Sequence, residues 1–83
     1  MPKRFVYVLR SLSHPTRRYV GLTADPANRI AAHNAGLSYF TSRHRPWTLS
    51  VCIEFSDERR AVAFERYLKS PSGRAFARRH FAE

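Results

Sequence analysis

The sequence predicts a small α/β fold, a three-stranded antiparallel sheet flanked by three helices in the order β-β-α-β-α-α. Residues 5–9, 18–22 and 49–55 are rich in the β-branched and aromatic residues that favour strands. Helix-starting residues open the other segments, at Asp25-Pro26, Asp57 and Pro71. The 83 residues contain no linker, repeat or low-complexity tract, so we expect residues 1–83 to form one domain.

The first two strands are expected to pair as a hairpin. Phe5–Leu9 is apolar on both faces, which is typical of a central strand. Ser11–Arg17 contains Ser, His and Pro and is expected to be a loop, after which Arg18–Leu22 forms the second strand. Gly21 has no side chain, so another backbone or a phosphate group can approach this strand closely.

The first helix is expected to start at Asp25-Pro26 and to end near Gly36. Asp25 suits the capping position, Pro26 the first turn, and Gly36 the left-handed residue that follows many helices. We expect Ala27, Ile30, Ala31 and Asn34 to define one face. Leu37–Pro46 is polar and basic and is expected to be a loop.

The third strand is expected to have one apolar face, formed by Leu49, Val51, Ile53 and Phe55. Cys52 is the one cysteine, so an internal disulfide is excluded. Because Cys52 lies within an alternating apolar run, we expect it to be a small buried hydrophobic residue.

Two helices complete the predicted fold. Ser56 or Asp57 caps a helix of about residues 57–69, and Pro71 starts a last helix that reaches about Phe81. The residues expected to face inward are Ala61, Phe64, Tyr67 and Leu68 on the first of these, and Phe76, Ala77 and Phe81 on the second.

The charge of the chain indicates a polyanionic partner. Fifteen Lys and Arg oppose six Asp and Glu, which gives a net charge of +9 and a pI of about 11.1. Such a field attracts nucleic acid, and arginine suits bidentate contact with phosphate. We favour nucleic acid over plain solubility, an acidic protein or a membrane surface. No apolar stretch approaches the length of a membrane helix, and the 5–9 run is too short for a signal peptide, so a cytoplasmic location is expected.

Tyr7 and Tyr19 are the first candidate catalytic residues. Each tyrosine taken alone is more typical of a core or cross-strand aromatic. Together, on paired strands, they can place two phenols side by side, one to take a proton from water and one to orient that water. A phenol with an ordinary pKa near 10 needs a nearby cation to act as a base.

Arg29 and His33 are the next candidates, because residues four apart share one face of a helix. The guanidinium can hold a scissile phosphate and stabilise its added charge. The histidine can donate a hydrogen bond or carry a proton. The alternative is a solvated helix face.

Glu65 is expected at the margin of the apolar face of its helix, where two interpretations stay open. A half-buried carboxylate can bind Mg²⁺ or Mn²⁺ that contacts the phosphate. Lys69, four residues later, is equally well placed for a helical ion pair with Glu65.

Further basic residues are candidates for binding nucleic acid. The 42–47 loop combines the cations Arg43 and Arg45 with the aromatic Trp47, as in a groove that binds a nucleic-acid backbone and stacks a base. Trp47 is equally suited to anchor the core. Residues that can extend a phosphate track are Lys69, Arg74, Arg78 and Arg79. A solvated basic face is the alternative for the last helix.

These residues, in this order, resemble the GIY-YIG nuclease superfamily, and most closely its small, stand-alone members. The resemblance covers Phe5 to about Phe81. The matching segments are Phe5-Val6-Tyr7, Tyr19-Val20-Gly21, Leu22-Thr23, Arg29, His33-Asn34, Thr41 through Arg45-Pro46, and Glu65. Phe5 stands where the first tripeptide usually has glycine, but the tyrosine is retained.

The resemblance implies hydrolysis of a DNA phosphodiester without a covalent intermediate, in DNA repair or processing. Tyr7 and Tyr19 would activate and position water, without a choice between them as proton acceptor. Arg29 would clamp the phosphate, His33 would assist, and Glu65 would hold one Mg²⁺ or Mn²⁺. Because these residues include no extra DNA-binding domain, the target is expected to be a DNA structure, or to be chosen by a protein partner.

Two other functions remain as alternatives. One is a nucleic-acid-binding module that keeps the fold without catalysis, against which the complete set of five candidate residues argues. The other is an interaction protein whose basic surface meets an acidic partner. A twofold dimer would let two sites cut two strands, but nothing in the sequence requires one.

Overall fold

A computed structural model describes residues 3–81 of the protein, and its element order is the predicted one. The strands are β1 (Arg4–Ser11), β2 (Arg18–Thr23) and β3 (Trp47–Phe55), and the helices are α1 (Pro26–Asn34), α2 (Glu58–Leu68) and α3 (Pro71–His80). A 3₁₀ helix, Ser42–His44, lies in the loop between α1 and β3. The predicted β-β-α-β-α-α arrangement is therefore confirmed.

The sheet is antiparallel with strand order β2-β1-β3, so β1 is the central strand, as its two apolar faces predict. Val6 and Val8 point to one face of the sheet and Tyr7 and Leu9 to the other, and all four are at most 2% exposed. Each face of β1 therefore supports its own buried cluster.

The two clusters differ in composition. On the α2–α3 side, Val6 and Val8 pack with Ala61 and Leu68, and the phenylalanines of α2 and α3 surround them. On the α1 side the buried cluster is Tyr7, Leu9 and Trp47, against which Tyr19 and Ile30 pack. We call the side of the first cluster the apolar face of β1 and the side of the second cluster its site face.

Side chains cap the start of each helix and so fix where it begins. A carboxylate oxygen of Asp25 accepts from the Asn28 N–H at 3.2 Å, and Asp57 accepts from the Arg59 N–H at 2.9 Å. The Ser70 hydroxyl accepts from a backbone N–H of α3 at 3.1 Å. The predicted starts of α1 and α2 are thus confirmed.

A β-bulge makes the predicted apolar face of β3 wrong at Leu49. Val8 pairs with Val51, but Leu9 pairs with Leu49, so Ser50 is an extra residue on β3. The bulge turns Leu49 to the same side as Leu9, where 43% of it is exposed. Val51 stays with the apolar face of β1.

One further expectation about burial is wrong. Cys52 is exposed, because it lies opposite Tyr7 on the α1 side of β3, where α1 does not cover it. On α1, Ala27, Ala31 and Asn34 are exposed, and His33 is the buried residue. The helix therefore packs the imidazole of His33 against the sheet, and the spacing of apolar residues does not predict this.

Within residues 3–81, no helix has the length and apolar character needed to cross a membrane. The cytoplasmic location stays a prediction.

Candidate active site

Gly21 is the residue that makes room for Tyr7. The two residues are partners across the β1–β2 pair, and a Cβ built on Gly21 would overlap the ring and hydroxyl of Tyr7. The Tyr7 ring therefore lies across Gly21. The close approach to Gly21 is made by a tyrosine ring, and the contact of Gly21 with nucleic acid stays a prediction.

Tyr7, Tyr19 and His33 form a cluster of three rings. The centroids of Tyr7 and Tyr19 are 6.2 Å apart, and that of His33 lies 5.8 Å from Tyr7 and 4.8 Å from Tyr19. Tyr7 and His33 are buried, whereas Tyr19 is half-buried at the edge of the sheet. The two predicted tyrosines do lie side by side, with the histidine across both.

His33 joins Tyr7 to Thr41 through its two ring nitrogens. Its Nε2 lies 2.8 Å from the Tyr7 hydroxyl, and its Nδ1 lies 2.7 Å from Thr41 Oγ1. The Thr41 hydroxyl donates to the Ser38 carbonyl at 3.5 Å, so it accepts from Nδ1–H. This network assigns Nε2 as the acceptor of the Tyr7 O–H.

Burial keeps this network uncharged near neutral pH. It lowers the pKa of His33, and the nearby Arg29 cation lowers that pKa further. Burial also raises the pKa of Tyr7, and this outweighs the opposing effect of a hydrogen bond from Arg29. The site therefore holds a neutral phenol that donates to a neutral imidazole.

Arg29 links the two tyrosines. A hydrogen bond with Tyr7 is the main cause that raises the pKa of the Arg29 guanidinium, and a weaker contribution comes from a hydrogen bond with Tyr19. Arg29 is half-buried on α1, one turn before His33. Its cation favours the ionised form of the Tyr7 phenol, which is the condition for a tyrosine to act as a base.

Glu65 reaches the same region from α2. Its side chain is 20% exposed, and its Oε2 lies 2.7 Å from Lys69 Nζ. Its charge also contributes to the raised pKa of Tyr7, so it is within electrostatic reach of that tyrosine. The helical ion pair predicted as one alternative is thus present.

Comparisons with known proteins identify the family of this chain. A family model described as the GIY-YIG catalytic domain matches residues 3–79. The chain belongs to the GIY-YIG nuclease superfamily. The predicted resemblance is thereby confirmed.

Several relatives of this GIY-YIG chain are named structure-specific endonuclease subunit SLX1. The protein from Malassezia globosa is 37% identical over 75 residues, which cover 84% of this chain and 17% of that protein. The one from Candida dubliniensis is 38% identical over 71 residues, which cover 77% of this chain and 25% of that protein. The chain spans a quarter or less of the length of these two relatives.

A cationic groove lies on the apolar face of β1, the opposite side of the sheet from the Tyr7–His33 cluster, and meets the site at Tyr19 of the edge strand β2. It is a cavity of about 800 Å³ floored by Val8, Val20 and other apolar residues of β1, β2, α2 and α3. The groove residues that carry charge are Arg18, Lys69, Arg74 and Arg78, and Tyr19 lines the same cavity. The structure therefore brings three of the predicted binding residues together beside one catalytic candidate.

Sequence reasoning missed Arg18 as a groove residue, and Arg79, also expected to extend the phosphate track, lies outside the groove. Arg18 belongs to the groove because strand alternation puts it on the same face as Val20, a signal that was available in the sequence. Arg79 lines a separate, smaller cavity with Tyr67 and Phe76.

Trp47 anchors the core, so the prediction that it stacks a base is wrong. It is 5% exposed, and its Nε1–H donates to the Thr41 carbonyl at 2.8 Å. Asn34 fixes its backbone, accepting from the Trp47 N–H at 2.7 Å and donating to the Trp47 carbonyl at 3.0 Å. Trp47 thus ties β3 and the loop to α1.

Arg43 and Arg45, the other predicted loop residues, are both exposed. Arg45 Nε–H donates to the Ser42 carbonyl at 2.8 Å. Thr41 is the residue of this loop that sequence reasoning did not single out for the site, although it is fully buried against His33. Only a contact between distant segments reveals its role.

Proposed function

We propose that this GIY-YIG domain is a metal-dependent endonuclease that hydrolyses DNA phosphodiester bonds and selects DNA by its structure, in repair or processing. The observation that carries the proposal is the Tyr7–His33–Thr41 network, with the Arg29 cation acting on Tyr7. The name structure-specific endonuclease, carried by the relatives, supports the choice of substrate class.

Tyr7 and His33 act as a proton relay in this proposal. As water attacks the phosphorus atom, its proton passes to the Tyr7 oxygen while the Tyr7 proton passes to His33 Nε2, 2.8 Å away. The bond from phosphorus to the leaving strand oxygen breaks, and that oxygen takes a proton from solvent. Thr41 accepts from Nδ1–H and thereby holds the tautomer that leaves Nε2 free to take the proton. No covalent bond forms between protein and DNA.

Arg29 and Tyr19 position the phosphate and the water. The Arg29 guanidinium interacts electrostatically with both phenols, so a phosphate bound to it would lie close to the attacking group. The same cation stabilises the negative charge that grows on the phosphate oxygens. Tyr19 lines the groove and is the tyrosine that meets the incoming strand and orients the water.

Glu65 is the residue that would hold Mg²⁺ or Mn²⁺. Among residues 3–81 no cluster of three or more His, Cys, Asp or Glu could hold a metal, and Glu65 is the carboxylate whose charge acts on Tyr7. One carboxylate suits Mg²⁺, which keeps several waters and takes its other ligands from substrate phosphate. Bound there, the ion supplies a Lewis acid that offsets charge on the phosphate. Lys69, now 2.7 Å away, would release the carboxylate.

The cationic groove is the proposed path of the DNA backbone. Its charged residues, Arg18, Lys69, Arg74 and Arg78, meet phosphates along the strand that leads away from Tyr19. Since the SLX1 relatives are named subunits, we also propose that a protein partner contributes to target choice.

A non-catalytic DNA-binding module is the second candidate, and the Glu65–Lys69 ion pair favours it, because such a pair is ordinary on a helix. Cleavage of labelled duplex, flap, branched and single-stranded DNA separates the two candidates. The assay compares Mg²⁺, Mn²⁺ and chelator, and compares wild type with Glu65→Gln and with Glu54→Gln, a matched exposed carboxylate on β3.

The nuclease is expected to cut in either metal, to stop in chelator and with Glu65→Gln, and to be unaffected by Glu54→Gln. Binding of every DNA without cutting in either metal would favour the binding module instead.

A further inference from the structure

The loop between α1 and β3 presents large apolar side chains to solvent. Leu37 is 78% exposed, and Tyr39 and Phe40 are each 79% exposed. The rings of Tyr39 and Phe40 are 5.6 Å apart and nearly perpendicular, at 85°. Adjacent exposed aromatic residues are uncommon on a protein surface and indicate a binding site.

The backbone that carries these two rings is held by hydrogen bonds. The Ser38 carbonyl accepts from the Thr41 N–H at 3.3 Å and from the Ser42 N–H at 3.0 Å. The Ser42 hydroxyl donates to the Tyr39 carbonyl at 3.1 Å. The aromatic pair therefore stands on a tight turn, so little conformational entropy is lost when the pair binds a ligand.

The base of the loop is closed as well. Gly36 has a positive φ of 81°, and a Cβ there would come within 2.6 Å of an Arg45 guanidinium nitrogen. Arg45 thus packs across the start of the loop from its end. This closure keeps the aromatic pair in one place relative to α1.

Thr41 connects the aromatic pair to the proposed active site. Its side chain is fully buried and bonds His33 at 2.7 Å, whereas Phe40, the preceding residue, points outward. Consecutive Cα atoms are about 3.8 Å apart, so the exposed pair is attached directly to the wall of the site.

The charge around the loop selects the kind of ligand. Between Pro26 and Ile53 the sequence contains no Asp or Glu, and three arginines, Arg29, Arg43 and Arg45, lie in this stretch. Aromatic rings stack on nucleobases, and neighbouring arginines bind the phosphates that join them. Within a continuous duplex each base is already stacked on both faces, so only an unpaired or branch-point base is available.

We propose that Tyr39 and Phe40 stack on an unpaired or branch-point nucleobase and thereby favour branched DNA over continuous duplex. The inference rests on the proposed nuclease function and deepens it, because it names the residues that distinguish DNA structures. The perpendicular rings offer one base a ring face and a ring edge.

Binding to a forked DNA with 2-aminopurine at the branch point tests the inference directly. The measurement is made in chelator, so that no strand is cut, and it compares wild type with Tyr39→Ala/Phe40→Ala. We expect wild type to quench the fluorescence as the base stacks. The double variant should lose the quenching and bind the fork about tenfold more weakly, as loss of one stacked base implies. Its affinity for blunt duplex of the same length should be unchanged.

Two further variants serve as controls. Tyr39→Phe/Phe40→Tyr keeps both rings and should keep the quenching. Arg43→Ala removes a phosphate contact and should weaken fork and duplex alike. Because Tyr39 and Phe40 are almost fully exposed, we expect all variants to melt with the wild type.

The inference is overturned if the double variant quenches like wild type, or if it loses fork and duplex affinity equally. A companion cleavage assay in Mg²⁺ separates this failure from failure of the nuclease proposal. If wild type and the double variant cut branched DNA equally well, the stacking role is rejected and the nuclease proposal stands. Quenching without cutting of any DNA removes the nuclease proposal and leaves base stacking in place.

Discussion

The two faces of β1 show how one strand can separate packing from chemistry. On the apolar face, Val6 and Val8 pack against aliphatic and aromatic side chains of α2 and α3. On the site face, Tyr7 is equally buried, but its neighbours include His33 and Thr41, which are fully buried polar residues. Alternate residues of a strand point to opposite sides, so each face can be built for a different purpose.

The difference between the faces lies in what burial requires. An apolar residue needs only close contact, whereas a buried polar group needs a hydrogen-bond partner. His33 has a partner on each ring nitrogen. The site face therefore depends on specific pairs, and we expect its variants to change chemistry, whereas variants of the apolar face change stability.

Leu68→Ala is expected to have the largest effect on stability. Leu68 is 2% exposed in the apolar cluster, and removing a buried leucine side chain costs about 2–5 kcal/mol of unfolding free energy. Leu37→Ala, at a residue 78% exposed, is the matched control and should change it by less than about 0.5 kcal/mol. Urea unfolding measures both. Equal effects of the two variants would contradict the assignment of the core.

Arg29→Ala is expected to have the largest effect on cleavage. Loss of one cation that stabilises the transition state slows the reaction by about 10²–10³-fold. Arg59→Ala, an exposed arginine at the start of α2, should leave the rate unchanged. Single-turnover cleavage of branched DNA gives both rates. A loss of affinity without a loss of rate would place Arg29 in binding alone.

Gly21→Ala is expected to be an exception to this division between the faces, because it should reduce both stability and activity. The added methyl group overlaps the Tyr7 ring, and overpacking of this kind costs about 1–3 kcal/mol. Urea unfolding and the cleavage rate measure the two losses. In the double variant Tyr7→Ala/Gly21→Ala the unfolding effects should be strongly non-additive, because the clash is absent. Additive effects would show that Gly21 does not make room for Tyr7.

His33 should give the stability of the protein a small dependence on pH. Burial lowers its pKa in the folded state, so the unfolded chain binds the proton more readily. The contribution of His33 to the free energy of unfolding is fully present above its unfolded pKa of about 6.5. It is lost as the pH falls through the pKa of His33 in the folded state. Urea unfolding between pH 5 and 8 should show this loss in wild type and in His80→Gln, and a flatter curve in His33→Gln. The same dependence of unfolding free energy on pH in all three proteins would contradict this role of His33.

The fold was predictable because its signals are local. Strand alternation and the capping residues Asp25 and Asp57 act within a few residues of the elements they define. The bulge at Ser50 was not predictable, because it depends on how β3 pairs with β1. It changed the environment of Leu49, a residue whose own neighbours in sequence give no sign of it.

The candidate site was predictable in its members but not in its connections. Tyr7, Tyr19, Arg29 and His33 were named from their order, and they do lie together. Thr41 was not assigned a role, because its bond to His33 joins segments that no periodicity relates. Trp47 was ambiguous for the same reason, since only the folded chain shows that its ring is enclosed.

The most direct test of the proposed relay is the pH dependence of single-turnover cleavage of branched DNA by wild type and His33→Gln, at saturating protein and Mg²⁺. If His33 takes the proton from Tyr7, the wild-type rate rises as pH increases through the lowered pKa of His33, and His33→Gln loses that rise and is slower by about 10²–10⁴-fold. A His33→Gln rate equal to wild type, with the same pH profile, would contradict the relay and leave the histidine as a packing residue of the site face.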